Sequence, residues 1–390
     1  DILPTADALQ KYKPGALTER PGSALLPGFV NAHTHSPMVL LRGVSDDIAL
    51  REWLEKTIWP LEFRLVGEDF VREGSELAIL EMLRGGTTTF NDMYVFPASC
   101  AEAVVRSGIR ASLGIITLEF PFGSYGAGPD DFLEKGQKAR EQCLQNNRIS
   151  WTIAPHAPYT NTDASLTKVR ELSESLNVPV HIHLHETQAE ADDSCAGEGA
   201  SCHMSSERCT PIMNLKRLGL VNKRLVAVHM VALTDEEIKL CGDAGVSVVH
   251  CPASNLKLAS GFARVADLVK AGVNVAIGTD GASSNNTLDM MAEMKLAGLL
   301  SKGVAKDATV VPAMCALRMA TLNGAKALGL DAITGSLVAG KAADMIAIEF
   351  SGPETSPKPC VPGPKGGFDP VTHIVYSSSR NQVTDSWVGG

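Results

Sequence analysis

Eight apolar runs enriched in β-branched residues recur along the chain, and nearly all of them finish in a side chain able to do chemistry. They are Ala24–His35, Thr87–Met93, Ile109–Thr117, Ile149–Ala157, Val178–Glu186, Leu225–Val231, Val246–Ser254 and Val273–Gly281. Near-continuous apolar strands imply a parallel sheet buried on both faces. Helical patterns lie between them, at Glu68–Arg84, Asp163–Leu176, Thr234–Ala244 and Leu288–Leu300. In the first of these, Leu77, Leu80 and Leu83 are expected to form the apolar face, and Gly85-Gly86 the stop. Thr234 with Glu237 three residues on is the capping-box pattern. Eight strands alternating with helices is the count for an α/β fold of the (β/α)₈ TIM-barrel type. An open doubly wound sheet is the alternative, but no Gly-rich phosphate loop follows the first strand.

A chain of 390 residues accommodates a barrel of ~250 residues with a small appendage. The expected division is 1–24, a remnant of a β domain; 25–333, the barrel; and 334–390, the rest of a small β-sandwich domain built from both chain ends. Asp1–Ser23 is turn-rich, Gly335–Phe350 reads as a glycine-punctuated strand pair, and Gly352–Gly367 is a Pro/Gly-rich loop. The chain starts at Asp1 and stops at Val388-Gly389-Gly390, so it reads as a trimmed piece in which a missing leader carries no weight. A net charge of −9 argues against nucleic acid or an anionic membrane as partner, since either needs a basic face. No apolar run approaches the ~18–20 residues of a membrane span. Nine cysteines without paired spacings suit reduced thiols in a cytoplasmic enzyme.

In a TIM-type barrel the active site forms at the C-terminal ends of the strands. His33/His35, Asp92, His156, His183/Glu186, His229, His250 and Asp280 all fall there. Buried charges and imidazoles are costly without partners, so packing is a poor explanation for ionisable residues at the same end of seven strands. Residues two apart on a strand share a face, which aims His33 and His35 together into the barrel mouth. Neutral imidazole is a common zinc ligand. His181, His183 and His185 also alternate. The ligand among them has to lie near the top, which leaves His181 deeper, and His181 and His185 read as supporting or structural residues. Asp280 offers a carboxylate that can bind metal and accept a proton from its water; the competing reading is a helix cap. His229 is placed to hydrogen-bond that water, and Glu186 to reach a substrate above the metal. Cys251 lacks an adjacent base and reads as structural. Cys195, Cys202 and Cys209 beside His203 are spaced more widely than zinc-site pairs and read as a solvated loop. No lysine near His156 could bridge a second metal, no second histidine follows His185-Glu186 at zincin spacing, and no Pro-Cys-x-x-Cys occurs.

The runs Leu26–His35, Ala154–Thr160, His183–Thr187, His250–Gly261 and Gly278–Asn286 resemble those of the 5-methylthioadenosine/S-adenosylhomocysteine deaminases of the amidohydrolase superfamily. The resemblance covers nearly the whole chain. It implies one divalent metal, zinc, on His33, His35, His183 and Asp280, with Glu186, His229 and Asp280 catalytic. It further implies that Glu62 binds the ribose hydroxyls, that His156 and Glu186 contact the purine, and that Trp53 and Asp280 also face the substrate. A homo-oligomer and an N-terminal β-strand region absent from this chain are implied as well. Loops around Cys195–Cys209 and Pro353–Pro364 depart from the pattern. Rival readings are a guanine, cytosine or triazine aminohydrolase on the same scaffold, which pocket residues would separate, and a non-catalytic scaffold, which lost ligands would betray.

Overall fold

The computed structural model describes residues 2–193, 210–357 and 369–390, so Cys195, Cys202, His203 and Cys209 and most of the Pro/Gly-rich loop lie outside the described residues. Eight strands form one parallel ladder in chain order: β2 (Phe29–Thr34), β3 (Thr87–Asp92), β4 (Arg110–Thr117), β5 (Ile149–Pro155), β6 (Val180–Leu184), β7 (Leu225–His229), β8 (Ser247–His250) and β9 (Asn274–Ile277). Helices separate successive strands, as parallel pairing requires. The ladder curls until its first and last strands meet: the Asp280 N–H donates to the His33 carbonyl at 3.0 Å, and the Thr279 N–H to the Asn31 side chain at 3.0 Å. This is the expected TIM-type barrel. The core runs continuously through the strands and their covering helices.

β1 (Ser23–Pro27), β10 (Met345–Glu349) and β11 (Val383–Trp387) form a separate antiparallel sheet in the order β1-β10-β11. The apolar run Ala24–His35, expected as one strand, therefore feeds two sheets. The break falls at Gly28, where a Cβ would sit only 2.1 Å from the Thr88 hydroxyl; the close approach admits no side chain. Likewise the expected strand pair in Gly335–Phe350 is a single strand preceded by turns.

The helices Glu68–Arg84 and Asp163–Leu176 span the expected residues. Thr234 caps Asp235–Ala244 by accepting from the Glu237 N–H, while the Glu237 carboxylate accepts from the Thr234 N–H. The facing of Glu68–Arg84 differs from expectation. Leu77 and Leu80 are 45% and 56% exposed, and the buried side is Val71, Gly74, Ser75, Ala78, Ile79 and Met82. Small residues win that side because the turn Ser36–Leu41 presses on it. A Cβ on Gly74 would lie 2.7 Å from the Pro37 carbonyl. Among the described residues no helix is long and apolar enough to cross a membrane.

Candidate active site

Four imidazoles and a carboxylate converge where the strands end. His33 lies on β2 with His35 just beyond it, His183 on β6, His229 at the end of β7, and Asp280 three residues past β9. The His33 Nε2 is 3.2 Å from the His183 Nε2 and 3.3 Å from Asp280 Oδ1, and the His35 Nε2 is 3.3 Å from the same oxygen. Bonds of ~2.0–2.1 Å to a tetrahedral metal put neighbouring ligand atoms ~3.3 Å apart, and these three spacings match that edge length. Among the described residues, His33/His35/His183 and His33/His229/Asp280 are the two overlapping groups able to hold a metal ion.

The hydrogen bonds behind the rings decide which nitrogens face inward. A carbonyl can only accept, so His35 Nδ1–H donates to the Met93 carbonyl at 2.6 Å, and His183 Nδ1–H to the His156 carbonyl at 2.7 Å. His229 Nδ1 pairs with the Asn255 side-chain oxygen at 2.8 Å. His33 Nδ1 faces His181 Nε2 at 3.1 Å. His35 and His183 thereby turn an unprotonated Nε2 toward one point, as metal-binding histidines do when their second nitrogen is engaged. Burial keeps His33 and His183 neutral: it lowers His33 to about 4 and drives His183 well below the usual imidazole range. Converging lone pairs repel unless a cation sits among them. Burial alone would raise the Asp280 carboxyl, but hydrogen bonding to His33 and the surrounding imidazoles hold it well below the usual carboxylate range. Ser254 Oγ donates to its Oδ2 at 2.6 Å. The donor set fits a divalent metal.

Above this point lies a cavity that opens to solvent. His156, Glu186, Glu62 and Trp53 all line it. Glu186 is 5% exposed; burial raises its pKa, and its carboxylate stands 3.8 Å from the His229 Nε2. Glu62, on the helix Trp59–Leu65, is raised by burial to about 7 and accepts a hydrogen bond from the Tyr94 hydroxyl at 2.5 Å. Trp53 is buried, and its indole N–H has no hydrogen-bond partner among the described residues.

Asp92, His250 and His185 do not join the cavity wall. Asp92 sits beneath, accepting from the Thr34 hydroxyl and the Ser36 N–H, which clamps the turn that carries His35. His250 lies beside Phe262 and Leu300 in the helical layer. His185 falls past the end of β6 with φ +52°, so the alternation lapses there. Its ring bridges the Ala232 carbonyl and the Ile212 N–H, a structural role as expected. His229 and Asp280 also have positive φ, +74° and +62°, uncommon for such residues and concentrated where a site imposes geometry. Cys251 is fully buried with its thiol pKa driven up, an inert setting.

Tyr94, Asn255 and Glu190 went unread in the sequence. Asn255 lies within the run His250–Gly261, where its residue type alone points to no role. Glu190 accepts from the His185 and Glu186 N–H groups at 3.1 and 2.7 Å, and so fixes the backbone that carries Glu186. The signal for it was present: Thr187-x-x-Glu190 has capping-box spacing, and the Glu190 N–H donates to the Thr187 hydroxyl. Nothing in the local pattern marks Tyr94.

Residues 24–390 match the amidohydrolase family. A 5-methylthioadenosine/S-adenosylhomocysteine deaminase of Moorella thermoacetica is 49% identical over 94% of this chain and 80% of its own length. A 5'-deoxyadenosine deaminase of Methanosarcina mazei is 43% identical over 95% of this chain and 80% of its own. The crystal structure of an adenosine deaminase from Xanthomonas campestris, with bound zinc, superposes with a TM-score of 0.92 at 47% identity, covering all of this chain and 84% of that one. On this footing the chain belongs to the amidohydrolase family, alongside the 5-methylthioadenosine/S-adenosylhomocysteine deaminases.

Proposed function

We propose that this enzyme removes the 6-amino group of an adenosine-type nucleoside by hydrolysis, giving the inosine analogue and ammonia. One observation carries the reading: imidazole nitrogens of His33, His35 and His183 and the Asp280 carboxylate converge at metal-ligand spacing beneath a cavity where a buried carboxyl, Glu186, faces the same point. We assign His33, His35, His183 and Asp280 as ligands of one zinc ion. Bound there, zinc supplies the Lewis acidity that makes water nucleophilic near neutral pH.

The chain's own groups handle the protons. Asp280, held ionised, accepts a proton from the attacking water, and His229 hydrogen-bonds to that water. Glu186, raised toward its protonated form, donates to the ring nitrogen beside C6, so the oxygen adds at C6 without building negative charge on the purine. The proton taken by Asp280 then passes to the amino group, which leaves as ammonia, while the added hydroxyl gives its remaining proton back to Glu186 as the C6 carbonyl forms; this is general acid–base work. Glu62 accepts from the ribose hydroxyls, and His156 and the free Trp53 N–H orient the nucleoside. The resemblance also implies a cytoplasmic homo-oligomer.

The test is ammonia release from adenosine, 5'-methylthioadenosine, guanine and cytosine, each offered to the metal-loaded protein. Turnover of the adenine nucleosides alone is expected. Turnover of guanine or cytosine in their place would overturn the reading.

A further inference from the structure

The cavity has two chemically unlike halves. The half above the metal-binding point carries His156, Glu186 and Asp280. The other half is apolar. Ile58 and Trp59 stand one helical turn before Glu62 on the same cavity-facing side, and Leu118, Phe120 and Phe122 close over them from the segment after β4. The Trp59 and Phe120 rings pack 5.9 Å apart, and Phe122 rests on Phe63 at 5.2 Å. No lysine or arginine lines the cavity among the described residues.

The basic residues of these segments are engaged elsewhere. Lys135 donates to Asp131 at 3.0 Å and to the Tyr125 carbonyl, and Lys138 to Glu134 at 2.6 Å. Arg51 and Lys56 pair with Glu55 and Glu52; Arg64 is exposed and outside the lining. Tyr125, from the same segment, is buried against Phe96 and Phe132.

With C6 of the purine at the metal side and the ribose at Glu62, a substituent on C5' enters the apolar half. We propose that this half is a selectivity pocket for a short neutral 5' group, a methylthio or methyl, and that it discriminates against the amino-acid tail of S-adenosylhomocysteine and the 5'-hydroxyl of adenosine. This rests on the deamination reading above. A carboxylate placed here loses water without gaining the bidentate cation it needs, and a hydroxyl loses water without gaining a partner. A methylthio group loses nothing and buries apolar surface.

The experiment measures kcat/KM of the metal-loaded protein for 5'-methylthioadenosine, 5'-deoxyadenosine, adenosine and S-adenosylhomocysteine by ammonia release. The first two should exceed S-adenosylhomocysteine by tenfold or more, and Phe120→Arg should shrink or invert that ratio by supplying the missing cation. Turnover with equal constants, or with S-adenosylhomocysteine favoured in the unmutated protein, would overturn this proposal while leaving deamination standing. Absence of turnover with all four would overturn the deamination reading and this proposal with it.

Discussion

Glu186 and Glu62 face one cavity from opposite walls, and burial pushes both carboxyls toward the protonated form, yet their neighbours give them different work. Glu186 has the His229 imidazole beside it and is the proposed proton carrier. Glu186→Gln keeps the shape but cannot pass a proton, so the variant should retain its metal and lose ~10²–10⁴-fold in kcat. Steady-state rates with elemental analysis check this, and near-normal turnover or a metal-free protein would refute the role. His183→Ala, by contrast, removes a ligand and should lose metal and activity together. Glu62 is the proposed receptor for the ribose, and only its ionised form accepts from two hydroxyls at once. A carboxyl raised to about 7 is protonated below that pH, so KM for the nucleoside should rise as pH falls through about 7. Glu62→Gln should raise KM and flatten that profile with a smaller effect on kcat. His33, His35, His183 and Asp280 were legible in the sequence because each sits at a strand tip. Asn255, Tyr94 and Glu190 were not, because they act through contacts that only the closed fold creates.

At the scale of elements, the strand ladder was readable and the facing of the helices was not. Near-continuous apolar runs with polar tips point to a parallel sheet buried on both faces, whereas a helix with leucines on one side and small residues on another can face either way. Packing against Ser36–Leu41 chose the small side of Glu68–Arg84 and left Leu77 and Leu80 outside. The wall made by Leu50–Leu65 carried no clear helical signal either. Pro60 brings no N–H to the helix, and the turn before it, Leu54–Ile58, widens to a π-helix, a distortion common at functional sites. That wall nonetheless supplies Trp53, Trp59 and Glu62. The barrel seam offers a direct test. A Cβ on Gly278 would stand 2.8 Å from the His33 nitrogen and 3.0 Å from its carbonyl oxygen, both backbone atoms that cannot swing aside. Gly278→Ala should therefore cost ~1–3 kcal/mol in stability and also displace His33. Denaturant unfolding and metal titration measure the two effects, and a variant with unchanged metal affinity would show that the seam does not position the ligand.

The molecule as a whole is stitched together at the end of the barrel away from the chemistry. Arg110, first residue of β4, meets Asp344, just before β10, through Nε–Oδ2 at 2.9 Å and Nη2–Oδ1 at 3.3 Å. Their side chains are only 6% and 0% exposed. The pair reaches further, because Arg110 also donates to the Asn147 carbonyl and Asp344 accepts from the Gly389 N–H. One buried salt bridge thus joins the barrel floor to the small sheet and to the chain's last residues. Taking two charges out of water offsets much of their attraction, so the pair as such adds little. Removing one member strands the other, which is where the cost lies. Asp344→Ala and Arg110→Ala should each destabilise by ~3–5 kcal/mol. The double replacement Arg110→Met with Asp344→Leu should cost far less than the two single effects added, since no orphaned charge remains. Denaturant unfolding of all three variants tests this, and additive losses would show that the two side chains act independently. Active sites in such barrels lie at the strands' C-terminal ends, and Arg110 begins its strand. The folded fraction of each variant should therefore keep its metal and its kcat; a variant that loses turnover while still folded would mean that the floor of the barrel governs the site at its mouth.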